Sequence, residues 1–197
     1  MILLVALLAG LIAGLILALL QQHTWNLPPL RLAWLAVVAF LPQIFVFYLP
    51  ATRRSFSDAV VAGSLIGSQA VLLSFCWFNR RLAGIWLLAL GLALNLAVIV
   101  ANGGFMPISP QTASRLASPA VVASLQLGER FGYGKDVLLL PERTNLVWLS
   151  DRFLPPSWSA YQVAFSAGDI LIAGGAFWLM LTEGKPLKLA KKIKDTE

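Results

Sequence analysis

Five apolar segments, at residues 2–20, 32–49, 59–78, 82–100 and 161–181, leave a chain like this few ways to fold. Each reaches the length of about 17–25 residues that a hydrocarbon layer demands of a helix. No water in that layer satisfies a free N–H or C=O, so a crossing segment must bond within itself as a helix. The expected fold is all-α, a polytopic transmembrane helix bundle of about five spans.

Only 12% of the 197 residues are charged and 58% are hydrophobic, whereas a soluble domain carries about 25% charged residues. No Ser-, Gly- or Pro-rich linker divides the chain, so residues 1–197 are read as a single integral membrane domain. The formal charge of +6 does not point to nucleic acid. Five lysines lie within residues 184–197, directly after the last apolar segment, as a membrane-flanking basic tail. One cysteine, Cys76, excludes an internal disulfide and a cysteine-ligated cluster, and it is read as a small packing residue. One histidine, His23, excludes a multi-histidine metal site and bis-histidine haem. His23 is read as a solvated loop residue, with a lone axial ligand to a pigment as the alternative. No P-loop and no G-x-G-x-x-G are present, and no metal or cofactor is expected, although a bound lipid or pigment stays open.

The basic tail belongs on the cytoplasmic side. Counting back through five spans places the N-terminus outside, "QQHTWNLPPLR" and "NRR" inside, and residues 102–160 outside. Arg53 and Arg54 then fall on the outer side, against the positive-inside rule. The first segment is read as a retained helix, because no basic residue precedes its apolar core and no convincing A-x-A site follows. A bacterial inner membrane is the expected location. The expected partners are the lipid bilayer and other membrane subunits.

The 102–160 connection carries ordered signals. Ser109-Pro110 and Ser118-Pro119 each read as an N-cap followed by proline at the first helical position. Two short helices are expected, the second ending near Gly128, then a turn at "GERFGYGKD" and an amphipathic stretch. Together they form an external cap along the membrane face. Within the spans, Gly10 and Gly14, and Gly63 and Gly67, have G-x-x-x-G spacing, read as internal helix packing in preference to dimerisation. Trp25, Trp77, Trp86, Trp148 and Trp158 fall near span ends, as an aromatic belt requires.

Asp169 is the one carboxylate inside a predicted span, which makes it a functional candidate. Ser166 and Asp169 also fit the [ST]-x-x-[DE] capping box, with Ser166 as N-cap of a helix from Ala167 to about Glu183. Gly184 then stops the helix, with Pro186 two residues on. Ser166, Asp169, Asn102, Gly103 and Gly104 are therefore taken as structural positions.

"MILLVALLAGLIAGLI", "ANGGFMPIS" and "LSDRF…FSAGDILIAGG" together resemble the DUF5317 family of uncharacterised bacterial membrane proteins over essentially the whole chain. That resemblance implies a helical membrane protein and no particular activity. More locally, "RFLPPSWSAYQVAFSAGDILIAGG" after Asp151 resembles the C-terminal part of lipoprotein signal peptidase. Phe165, Asp169, Ile172 and Gly175 fall near that family's F-N-x-A-D-x-x-I-x-x-G pattern, and "NGGF" at 102–105 resembles its N-x-G-x-x-F element. The resemblance implies a catalytic dyad of Asp151 and Asp169. Two such carboxylates sharing a proton can activate water, one as base and one as acid.

Three functional expectations follow. The leading one is a non-enzymatic helical subunit or scaffold of a larger membrane assembly. The second is an aspartyl intramembrane hydrolase using Asp151 and Asp169. The third is a protein that binds a lipid or isoprenoid-like ligand under the cap.

Overall fold

The structure is a computed structural model that describes residues 2–52, 55–159, 162–183 and 185. Arg53, Arg54, the Gly184 stop, Pro186 and the rest of the tail lie outside the described residues. The chain is mostly helical. Its elements are α1 (Ile2–Leu20), α2 (Trp34–Gln43) continuing as a π-helical turn (Ile44–Tyr48), α3 (Asp58–Phe78), α4 (Ile85–Ala101), β1 (Met106–Ile108), α5 (Pro110–Ala113), α6 (Pro119–Ser124), β2 (Asp136–Leu138) and α7 (Ala167–Leu181).

Two helices, α1 with 19 residues and α3 with 21, are long and apolar enough to cross a membrane. The other three apolar segments form shorter helices, and each shortening has a local cause. Pro42 lies inside α2, where it removes a backbone donor, and the next turn widens to π geometry before the helix ends. Gly84 is left-handed at φ 81° and delays α4 to Ile85. Ser166 caps α7, which therefore begins at Ala167 and not near residue 161.

The helices pack in the order α1, α7, α4, α3, α2. The last helix in sequence thus lies inside the row, between the first and the fourth. Glycines set its spacing: a Cβ at Gly175 would lie 2.5 Å from Leu88 N, and one at Gly91 would lie 2.5 Å from Gly168 O. Backbone therefore meets backbone along the α4–α7 seam, the arrangement small residues permit in lipid. Gly10 and Gly14 of α1 face α7 in the same way, against Phe177 and Met180. Gly63 and Gly67 do not behave as expected, because nothing among the described residues comes within 4 Å of a Cβ at either.

The connection between α4 and α7 is not purely helical. β1 pairs in parallel with β2, in the register Met106 to Asp136 and Ile108 to Leu138, and Ile108 also bridges Asp151. Three-residue strands, one of them containing a proline, leave no alternation for a sequence pattern to reveal. The Ser109 hydroxyl accepts from Thr112 N and opens α5 as anticipated, whereas the Ser118 side chain makes no cap bond and α6 stops at Ser124, short of Gly128. The "GERFGYGKD" stretch is a turn, closed by Phe131 N donating to Asp136 O.

Two devices fasten this layer to the helices. Asn102 ends α4, donates to Val98 O and Asn145 O, and accepts from Asn145 N, while Asn145 Nδ2 reaches Ala101 O. Gly103 and Gly104 follow with positive φ of 75° and 92°, and Gly104 N bonds Ile99 O in a Schellman closure. A side chain at Gly104 would also collide with Ala62 of α3. Arg130 forms the second fastening, reaching Asp58 in the first turn of α3 at 3.3 Å and bonding Tyr133 O and Gly134 O.

Candidate functional site

The α7 N-terminus is built as the sequence pattern implies. Ser166 Oγ accepts from Asp169 N at 3.1 Å, and Asp169 Oδ2 accepts from Ser166 N at 3.0 Å, a reciprocal capping box. Each bond satisfies an N–H that the first helical turn leaves without an internal partner. The remaining carboxylate oxygen, Asp169 Oδ1, accepts from Asn95 Nδ2 of α4 at 2.8 Å, and Ser166 Oγ donates to Asn95 Oδ1 at 2.8 Å. Asn95 is only 4% exposed, so the three side chains form a closed network inside the helix layer. Asn95 is a functional candidate that sequence reading passed over. Its signal was a lone amide in the apolar run "LALNLAV", four residues after Gly91.

Asp151 lies beside this network at 1% exposure. Its backbone N donates to Pro107 O, placing it next to β1 on the side away from β2. Lys135, which directly precedes β2, reaches across and donates to Asp151 Oδ2 and, at 3.0 Å, to Asp136 Oδ1. Asp151 Oδ1 is buried without a hydrogen-bond partner among the described residues. The partner of Asp151 is Lys135 and not the adjacent Arg152, which lies over the Trp148 ring at 4.8 Å. Neighbouring residues on an extended strand point to opposite faces, so a residue adjacent to Asp151 is badly placed to pair with it.

The electrostatics follow from this crowding. Burial pushes the Asp151 carboxyl well above its ordinary value, Lys135 opposes the shift, and the charges of Asp136 and Asp169 add to it. Burial works against the Lys135 ammonium, but Asp136, Asp151 and Asp169 together hold its pKa above the usual lysine value. Lys135 is the firmly charged member of the group. Asp151 and Asp169 are therefore near enough to influence each other, yet neither carboxyl hydrogen-bonds the other: one is clamped by Lys135, the other by its cap and Asn95. Among the described residues no cluster of three metal-ligating side chains forms.

His23 is not merely solvated. Its Nε2 lies 2.7 Å from Glu183 Oε1, joining the end of α1 to the end of α7, and this contact first, then Lys185, holds Glu183 below the usual carboxylate range.

A model of a family of unknown function, DUF5317, matches residues 28–181. The chain belongs to that family. The matched span takes in Asn95, Lys135, Asp151, Ser166 and Asp169, so the whole polar centre lies within the part shared with DUF5317. Comparison with curated proteins and with solved structures found no match.

Proposed function

We propose that this chain is a multi-pass protein of a bacterial cytoplasmic membrane and acts as a non-catalytic helical subunit of a larger assembly. In this reading the five apolar helices cross the bilayer, residues 102–160 cap the outer face and the C-terminus is cytoplasmic. The distribution of charge supports the orientation. At the end of the bundle where α3 leads into α4, Arg31, Arg80, Arg81 and Lys185 are accompanied by a single described carboxylate, Glu183, whereas the cap mixes both signs.

The observation that carries the subunit reading is a groove of about 440 Å³ between α2 and α3. Val38, Ala39, Pro42, Gly63, Gly67 and Ser68 line it. Its two glycines meet nothing among the described residues. A transmembrane helix of another subunit fills the groove and approaches closely over the glycines, the packing that small residues permit in lipid. The carboxylates agree with this reading, since both are engaged in holding α4, α7 and the cap together.

Isolation in mild detergent, followed by size analysis and mass-spectrometric identification, tests the proposal. A partner membrane protein in fixed proportion, lost in Gly67→Leu while the helical content is kept, is the expected result. A wild-type protein that runs alone, or a partner retained by Gly67→Leu, overturns it.

A second reading, an aspartyl hydrolase using Asp151 and Asp169, is favoured by the free Asp151 Oδ1 and by the mutual influence of the two carboxyls. It requires that Asp151→Asn and Asp169→Asn each abolish an activity at unchanged protein level. Retention of activity by either variant excludes it.

A further inference from the structure

Two cavities adjoin where α3 turns into α4. One, of about 170 Å³, is rimmed by Arg31, Arg80 and Arg81. The other, of about 400 Å³, is an apolar groove along the outer faces of α3 and α4, with Leu73, Trp77, Trp86, Leu90 and Ala93 on its walls. Arg80 lines both, so the charged hollow opens directly onto the apolar one. Beneath the rim the scaffold is fixed. Buried Asn79 donates to Arg31 O and Phe75 O and accepts from Arg31 N at 2.7 Å, which holds the segment before α2 against the end of α3.

The three guanidiniums are exposed, and among the described residues no carboxylate lies within 4 Å of any of them. The Arg80 group lies 4.5 Å from the Trp77 ring centre and donates to Trp77 O, which directs it toward the mouth of the groove. Arginine forks match phosphate oxygens. Three of them around one phosphate leave excess positive charge, which a choline headgroup would oppose and a headgroup of net negative charge would complement. The adjoining groove is apolar and open along its length, with Trp77, Trp86 and Leu90 exposed at its sides, as an acyl chain requires.

We propose that this paired hollow and groove is a binding site for an anionic phospholipid, with the phosphate held among Arg31, Arg80 and Arg81 and one acyl chain lying along Trp77, Trp86 and Ala93. The site lies at the end of the bundle opposite the cap and uses none of the Asp151–Asp169 centre. It rests on the reading of the chain as a membrane protein and is independent of the subunit reading.

The test uses the full-length protein in neutral detergent, offered equal phosphatidylglycerol and phosphatidylcholine, with native mass spectrometry reading the ratio of the two lipids retained. Phosphatidylglycerol is expected to be retained preferentially. Arg31→Gln, Arg80→Gln and Arg81→Gln should each lower the ratio about fivefold, the worth of one basic residue beside an anionic surface, and Arg152→Gln on the cap should leave it unchanged. Ala93→Phe, which fills the groove, should reduce retention of phosphatidylglycerol while helical content is preserved. Equal retention of both lipids, or a preference that survives the arginine substitutions, overturns the site. Displacement of the lipid by millimolar inorganic phosphate, with no effect of Ala93→Phe, reduces it to a bare anion site and overturns the lipid assignment. Release of the protein from membranes by alkaline carbonate refutes the membrane reading itself, whatever the lipid ratio.

Discussion

At the scale of single residues, Asp169 and Asn95 differ in what their loss leaves behind. Asp169→Asn keeps one acceptor oxygen but turns an amide NH2 against either Asn95 Nδ2 or the Ser166 N–H, and should cost about 1–3 kcal/mol. Asn95→Leu strips partners from Asp169 Oδ1 and from the Ser166 hydroxyl at once, and two unsatisfied groups in a buried network should cost about 2–4 kcal/mol. Thermal unfolding in detergent measures both, and an unchanged midpoint for Asn95→Leu contradicts the network. Asp151 adds a pH dependence. Its carboxyl is raised in the folded state, so its contribution to stability is full below the unfolded value of 3.8 and is lost as pH rises through the folded value. The wild type should therefore lose stability relative to Asp151→Asn as pH rises above 3.8. Lys135→Met removes the charge that opposes the effect of burial on Asp151, so the carboxyl is raised further in the folded state and the fall of stability with rising pH should extend to higher pH. Glu183 has the opposite sign: its lowered value means that the contact with His23 contributes stability above pH 4.5 and loses it as pH falls through the folded value.

At the scale of elements, glycine position separates closed seams from open ones. Gly175→Val drives a side chain into the backbone of α4 at Leu88 N and Gly84 O, which cannot rotate away. The loss should reach or exceed the roughly 1–3 kcal/mol of ordinary overpacking. Gly63→Ala meets nothing among the described residues and removes a flexible helix position, so the isolated protein should gain up to about 1 kcal/mol. Thermal midpoints of the two variants check the contrast. The same comparison explains which elements were legible. The capping box of α7, the left-handed closure after α4 and the Ser109 cap are local devices, written in residues one to five positions apart. The β1–β2 pair joins residues 30 positions apart through three-residue strands, so no local pattern betrays it.

At the scale of the whole molecule, α7 is inserted between earlier helices although it comes last in the chain, with α1 on one side and α4 on the other. The contacts of Gly10 with Phe177 and Gly14 with Met180 show that α1 and α7 run in the same direction, which the proposed five-span arrangement requires of its first and last helices. Labelling tests the proposed topology. In a Cys76→Ala background, Trp148→Cys should react with a membrane-impermeant maleimide in intact cells. Arg81→Cys should react only after permeabilisation. Labelling of both from the same side removes the five-span arrangement.

The sequence by itself determined that the chain would be mostly helical, where its helices lie and how α7 begins, because apolar length and capping chemistry act between residues close in the chain. The partners of the charged groups were decided only by tertiary structure. Asp151 meets Lys135 because β1 inserts between their segments, and Asp169 meets Asn95 because Gly91 and Gly168 let two helices touch. Gly63 and Gly67 carry the same motif as Gly10 and Gly14, yet the second pair packs against α7 and the first meets nothing among the described residues. Spacing along a helix says which residues share a face. What that face meets depends on the order in which helices pack, and packing order is a property of the folded chain.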